Sequence, residues 1–261
     1  MMKKTLQRTV VAIAGLLTLA APLMAADEGY PLRKKYPALQ YITTTDLKSQ
    51  YDNAQIVDVR SKIEFNVIHI NKSVHLPMSV ASFAADLEKI RQRSAATPLA
   101  LYCNGHSCEK SYEAADLATK AGFKNVFVYD SGIFDWAKAN PDKTTLLGKS
   151  PLAKEKLIPK TTFTKKCISY DEFKKKAASP NAVVVDIREP VQRDVIPKVA
   201  GLRNIPSDRM VELINKGEFK EKQLLILDAV GKQVEWLQYY LEGKGYTNYL
   251  FLDKGMLSAK D

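Results

Sequence analysis

Along the first half of this chain, short apolar runs alternate with segments whose apolar residues recur at helical spacing. Residues 55–59, 73–76, 99–103 and 125–129 read as strands, and residues 81–93 and 111–121 as helices. This alternation predicts an α/β fold, a mostly parallel sheet with helices on both faces. Such sheets bind ligands outside the carboxyl ends of their strands. The run 99–103 ends there in Cys103.

The pattern then repeats. Tyr41-Ile42-Thr43-Thr44-Thr45-Asp46-Leu47 and Cys167-Ile168-Ser169-Tyr170-Asp171-Glu172-Phe173 each read as a short strand entering a helix through a polar cap. Ile56-Val57-Asp58-Val59-Arg60 matches Val184-Val185-Asp186-Ile187-Arg188, an apolar strand ending in an acid and a base. The offset is 128 residues at Asp58 and Asp186, and 123 at the glycine pairs Gly122/Gly245 and Gly132/Gly255. A unit this long indicates a duplicated domain rather than a solenoid. Two tandem doubly wound domains are therefore expected, over residues 41–140 and 164–261. The linker between them, 141–163, carries Pro141, Gly148, Pro151, Pro159 and several lysines.

The N-terminus is of a different kind. Lys3, Lys4 and Arg8 precede the apolar run from Val10 to Leu19, followed by Pro22 and small residues around Ala25. This predicts a signal peptide over residues 1–25, an N-terminal segment over 26–40, and a soluble mature protein that is periplasmic or otherwise exported. Pro22 and the shortness of the uncharged stretch argue against a spanning helix, so no stable membrane insertion is expected after cleavage. Cleavage removes three basic and no acidic residues, taking the net charge from +10 to +7. The lysines are spread along the chain rather than gathered in a block. That speaks against a nucleic-acid partner and suits weak attraction of small anions.

Cys103, Cys108 and Cys167 make an odd count, so a fully paired disulfide framework within one chain is excluded. Cys103 opens the turn Cys103-Asn104-Gly105-His106-Ser107-Cys108-Glu109-Lys110-Ser111 between strand and helix. A turn of this kind aims backbone N–H groups and the positive end of a helix at one point, which attracts anions and lowers a thiol's pKa. Taken alone, the turn also fits a thiol that merely ends a buried strand. A metal site of Cys103, His106 and Cys108 lacks a fourth ligand at usual spacing, so none is expected. Cys167 reads as a buried, inert thiol.

In their order and spacing, Val57-Asp58-Val59-Arg60, Glu64-Phe65, His69-Ile70, Leu76-Pro77, Tyr102-Cys103, Gly122-Phe123, Val126-Phe127-Val128-Tyr129, Gly132 and Trp136 resemble the rhodanese (thiosulfate sulfurtransferase) superfamily. The likeness extends from Tyr41 to Lys254. It implies that Cys103 takes sulfane sulfur from a donor and passes it, as a persulfide, to a thiol or cyanide acceptor. Asn104, Gly105, His106, Ser107, Cys108, Glu109, Lys110 and Ser111 then form the substrate-binding loop, and Asp58 and Arg60 support it as a buried pair. No metal, nucleotide or organic cofactor is implied. The implied partners are small sulfur-containing anions and a thiol acceptor, small or protein.

The sequence departs from the family's commonest loop. Gly105 follows the cysteine by two positions, and Lys110-Ser111 stand at the seventh and eighth, so the loop is about two residues longer. Ser111 is expected to cap the helix below it, and His106 to donate a hydrogen bond to an incoming anion. A wider mouth leaves polysulfide, persulfide or another chalcogen donor open beside thiosulfate. The related cell-cycle phosphatases place an arginine six residues after the cysteine. Glu109 stands at that position here, which argues against phosphoryl chemistry. In the second half Asp228 replaces the cysteine. That half is expected to be catalytically silent, with the carboxylate satisfying the N–H cradle meant for a ligand.

Cys108 has three readings: a resolving thiol, a second sulfur relay, or a small apolar residue. Trp136, Tyr129 and Phe134 are read as core, and His69 and His75 as structural. Two other functions compete with sulfur transfer. One is a thiol-disulfide redox protein using Cys103 and Cys108, the other a non-catalytic binding module.

Overall fold

The computed structural model describes residues 29–79, 81–91 and 96–259. The expected signal peptide lies outside the described residues. After a 3-10 turn at Arg33–Lys35, the first half runs β1 (Gln40–Tyr41), α1 (Thr44–Ser49), β2 (Gln55–Asp58), α2 (Lys62–Val67), β3 (Ile68–Ile70), β4 (Val74–His75), α3 (Phe83–Ile90), β5 (Leu99–Tyr102), α4 (Lys110–Lys120), β6 (Val126–Tyr129) and α5 (Gly132–Ala139). A connecting stretch with β7 (Thr144–Leu146) and α6 (Lys160–Thr164) follows. The second half is β8 (Cys167–Ile168), α7 (Tyr170–Ala177), β9 (Ala182–Asp186), β10 (Leu202–Asn204), α8 (Ser207–Asn215), β11 (Gln223–Leu227), α9 (Gln233–Gly243) and β12 (Tyr249–Leu252).

Each half builds a five-stranded parallel sheet, in the orders β1-β6-β5-β2-β4 and β8-β12-β11-β9-β10. Strand for strand the winding is the same, so the repeat in sequence is a repeat in topology. The polar caps act as expected: Thr43 accepts from the Asp46 N–H, and Ser169 from the Glu172 N–H. The second half has a 3-10 turn at Pro190–Gln192 where the first has α2, and another at Gly255–Ser258 where the first has α5. The connecting stretch is itself structured: β7 pairs antiparallel with β3, Ile70 opposite Thr144. Three-residue strands such as these carry too little periodicity to be read beforehand.

Alternation along the strands sorts the core into layers. In β5, Leu99 and Leu101 face α3 and α4, where Phe83, Leu87, Tyr112 and Ala115 are buried. Ala100 and Tyr102 face the opposite way, onto a cluster that continues through Ile63, Val67 and Trp136 into Met210, Ile214 and Leu237 of the second half. The two halves thus share one apolar core. They do not offer it equivalent faces. The first half buries its α1, α2 and α5 side, and the second half its α8 and α9 side, with α2 seated on α8 and α9.

Candidate active site

β5 lies at the centre of its sheet, between β2 and β6. It ends one residue earlier than expected, so Cys103 has left the ladder and starts the loop. The Cys103 carbonyl accepts from the Ile133 N–H at 3.0 Å, and the Cys108 N–H donates to the Gly105 carbonyl at 2.7 Å. Gly132 holds the loop from below. Its φ is +63°, and a Cβ there would sit 2.5 Å from the Gly105 nitrogen, so only glycine allows the two backbones to approach this closely.

Behind the loop stands a buried ion pair. Asp58 accepts from the Arg60 backbone N–H at 3.0 Å, from Nε at 2.9 Å and from a terminal guanidinium nitrogen at 2.6 Å. The other guanidinium nitrogen donates to Asn104 Oδ1 at 3.1 Å, and Asn104 Nδ2 donates to Glu64 at 2.6 Å. The pair therefore reaches the loop through Asn104. Burial opposes the Arg60 charge, but Asp58 outweighs it and raises the pKa. Burial would likewise raise the Glu64 carboxyl. Arg60, Ser61 and Asn104 overcome that and hold it below the usual range.

Cys103 and Cys108 form a disulfide with a Cα separation of 6.2 Å. Cys103 is 1% exposed, whereas Cys108 lines a cleft of about 640 Å³ between the two halves. The expected thiolate is therefore reached only after reduction. Asn104, Gly105, His106, Ser107 and Lys110 also line this cleft; Glu109 and Ser111 do not.

Three loop residues behave differently from the reading of the sequence. Ser111 is buried in the first turn of α4 and donates to the Cys108 carbonyl at 3.5 Å; it caps nothing. Both His106 nitrogens are engaged, Nδ1 with the Gly29 carbonyl at 2.9 Å and Nε2 with Asp135 at 2.7 Å, leaving no N–H for an incoming anion. Glu109 bonds Lys35 and the Tyr36 hydroxyl. Those bonds lower the Glu109 pKa, Lys35 contributing most, and push the Tyr36 hydroxyl up to about 12.

These contacts belong to a strap formed by residues 29–36. The Tyr30 ring stacks on His106 with centroids 4.4 Å apart, and its hydroxyl pairs with Ser131. Arg33 makes a two-point contact with buried Asp130, at 2.7 and 3.0 Å. The strap was not legible beforehand, because its partners lie about 75–100 residues away and follow no local pattern.

The rhodanese-like domain family matches residues 43–139. Over 102 residues the chain is 31% identical to the thiosulfate:glutathione sulfurtransferase of Saccharomyces cerevisiae, an alignment covering 36% of this chain and 72% of that protein. The chain belongs to the rhodanese-like family. It is also 31% identical over 100 residues to the probable adenylyltransferase/sulfurtransferase MoeZ of Mycobacterium tuberculosis, covering 37% of this chain and 24% of that protein. The chain thus spans about a quarter of that relative's length. A crystal structure of thiosulfate sulfurtransferase from Pseudomonas aeruginosa aligns with 84% of this chain and 42% of its own, at 18% identity and a TM-score of 0.39.

Within this rhodanese-like chain the second half shows what its own strand-end loop does. Asp228 is 1% exposed. It accepts from the N–H groups of Gly231 at 2.5 Å, Gln233 at 2.6 Å and Val234 at 3.2 Å. Burial raises its pKa, and these amides offset part of the rise. Its carbonyl accepts from the Met256 N–H at 2.9 Å, as Cys103 accepts from Ile133. Asp186 and Arg188 repeat the Asp58–Arg60 geometry, with Nε donating at 3.0 Å. Gln233, the start of α9, follows Asp228 by five positions, while Lys110, the start of α4, follows Cys103 by seven. The first loop is thus two residues longer than its counterpart.

Asp228, Lys232 and Gln233 also line the cleft, so the two strand-end loops of this rhodanese-like protein face each other. Phe134, read as core, is 44% exposed and stacks on Trp236 across the cleft with centroids 5.7 Å apart. Trp136 and Tyr129 are buried core. His69 and His75 bond the Phe65 and Arg60 carbonyls. Cys167 is half-buried rather than fully buried, with burial pushing its thiol up to about 11. Among the described residues, no group of three or more His, Cys, Asp or Glu side chains is placed to hold a metal ion, and no helix is long and apolar enough to cross a membrane.

Proposed function

We propose that this protein is an exported sulfurtransferase whose reduced Cys103 accepts sulfane sulfur from thiosulfate, polysulfide or another chalcogen donor and passes it as a persulfide to a thiol or cyanide acceptor. One observation carries the reading. Cys103 occupies the place where, in the other half, backbone amides converge on the carboxylate of Asp228. A thiolate and a persulfide are both anions, and the counterpart loop supports the reading that this strand-end position suits a buried anion. The yeast relative named above as a thiosulfate:glutathione sulfurtransferase supports the same chemistry. Asn104, Gly105, Ser107, Cys108 and Lys110 then line the path of donor and acceptor, and Asp58 and Arg60 hold Asn104 in place. The disulfide is the oxidised resting form. The N-terminal apolar run after Lys3, Lys4 and Arg8 supports export.

The test begins with reduction of the protein by dithiothreitol and removal of the reductant. Thiosulfate should then release about one equivalent of sulfite from the reduced wild type, and on Cys108→Ser it should leave about 32 Da that cyanide removes as thiocyanate. Cys103→Ser should abolish both. If the reduced wild type releases neither sulfite from thiosulfate nor sulfinate from a thiosulfonate, the reading fails.

The disulfide itself favours a second reading, a thiol-disulfide redox protein. That protein would exchange its disulfide with a dithiol substrate yet take up no sulfur from either donor.

A further inference from the structure

We infer that Cys108 is a resolving thiol that ends each transfer by releasing the sulfur as hydrogen sulfide. The inference rests on the sulfurtransferase reading above and adds to it the fate of the sulfur. Three observations converge on it. Cys103 is 1% exposed, while Cys108 faces the cleft, so an outside acceptor meets Cys108 before it meets Cys103. The two cysteines are bonded at a Cα separation of 6.2 Å, inside the span a disulfide needs, and no backbone movement is required for Cys108 to reach the Cys103 sulfur. The loop that carries both is pinned by the Cys108–Gly105 and Ile133–Cys103 hydrogen bonds and by the contact with Gly132. A nucleophile held next to its target reacts at an effective concentration no free thiol matches.

In the step itself, the Cys108 thiolate attacks the Cys103 sulfur of the persulfide. The bond between that sulfur and the outer sulfur breaks, and the Cys103–Cys108 bond forms. The proton given up by Cys108 leaves with the outer sulfur as hydrosulfide. The sulfane sulfur gains two electrons and the cysteine pair loses them, which yields the disulfide seen in the structure. An external dithiol then reduces the pair and returns Cys103 to the thiolate. The net reaction consumes a sulfane donor and a dithiol and produces sulfide and a disulfide.

A single-turnover experiment on the full chain decides it. Reduced protein, freed of reductant, is mixed with thiosulfate or with benzenethiosulfonate, whose leaving groups, sulfite and benzenesulfinate, are distinct from sulfide. Wild type should release about one equivalent of leaving group and about one of sulfide, and should end about 2 Da lighter than the reduced chain. Cys108→Ser should instead stop at the persulfide, about 32 Da heavier, with leaving group released and no sulfide. Wild type that releases leaving group but keeps the added mass and yields no sulfide overturns the resolving role and leaves the sulfurtransferase standing. Added mass found on the Cys108 peptide also overturns it, in favour of a relay. Release of neither leaving group overturns both.

Discussion

Replacing Gly132 with alanine separates the close backbone approach under the loop from the ordinary cost of a left-handed residue. Gly132 has φ +63°, and its added Cβ would lie 2.5 Å from the Gly105 nitrogen and 2.6 Å from the Asn104 carbonyl carbon and Gly105 Cα. All three are backbone atoms, so no flexible side chain yields. Gly122, at the end of α4, has φ +91° and open space where its Cβ would go. Alanine in the left-handed region costs about 1–2 kcal/mol, and that is the whole expected loss for Gly122→Ala. Gly132→Ala adds overpacking, about 1–3 kcal/mol, for a total of about 2–5 kcal/mol. Its clash also displaces the loop that holds Cys103 and Cys108. Urea unfolding of the oxidised full-length chains gives the difference, and loading of the reduced chains, read as sulfite released from thiosulfate, gives the functional consequence. Gly132→Ala should unfold at clearly lower urea and lose loading, while Gly122→Ala should lose a little stability and load normally. If the two variants unfold together and both load, the contact between Gly132 and the loop does not constrain the site and the reasoning fails.

Arg60→Met should cost about 3–5 kcal/mol, because it strands the Asp58 carboxylate in a dry interior without its partner; a loss under about 1 kcal/mol in urea unfolding would refute the buried pairing. Stability against pH carries a second signature. The Glu64 pKa is lowered by folding from its ordinary 4.5, so its contribution is present above that value and fades as pH falls through the lower folded value. Asp228, raised above its ordinary 3.8, acts in the opposite sense: its contribution is present below that value and fades as pH rises through the folded one. Glu64→Gln should therefore make the fall of stability between about pH 5 and 3 shallower, and an unchanged slope would exclude Glu64 as a contributor.

What could be read from the residues was local. The strand runs, the caps at Thr43 and Ser169 and the duplicated winding follow from spacing within a few positions. The Asp58–Arg60 pair repeats at Asp186–Arg188 because each aspartate accepts from an arginine only two residues on. Asp228 filling its own amide cradle is a matter of six residues. The disulfide stayed one reading among several, since five residues of separation allow a bond without requiring one. Phe134 misled because an apolar residue in an amphipathic helix is read as buried, whereas here it faces a ring on the other half.

The chain's linear order accordingly specified two similar sheets, each with its strand-end loop, through alternation and hydrogen bonds that close within a turn or two. Assembly chose which helical faces meet, α2 against α8 and α9, and so brought the Cys108 loop and the Asp228 loop to one cleft. It also laid Tyr30, Arg33 and Lys35 across the cysteine loop. Both halves carry apolar helices on either side of their sheets. The pairing of faces therefore depends on shape and charge matched over distances in sequence at which periodicity carries no information.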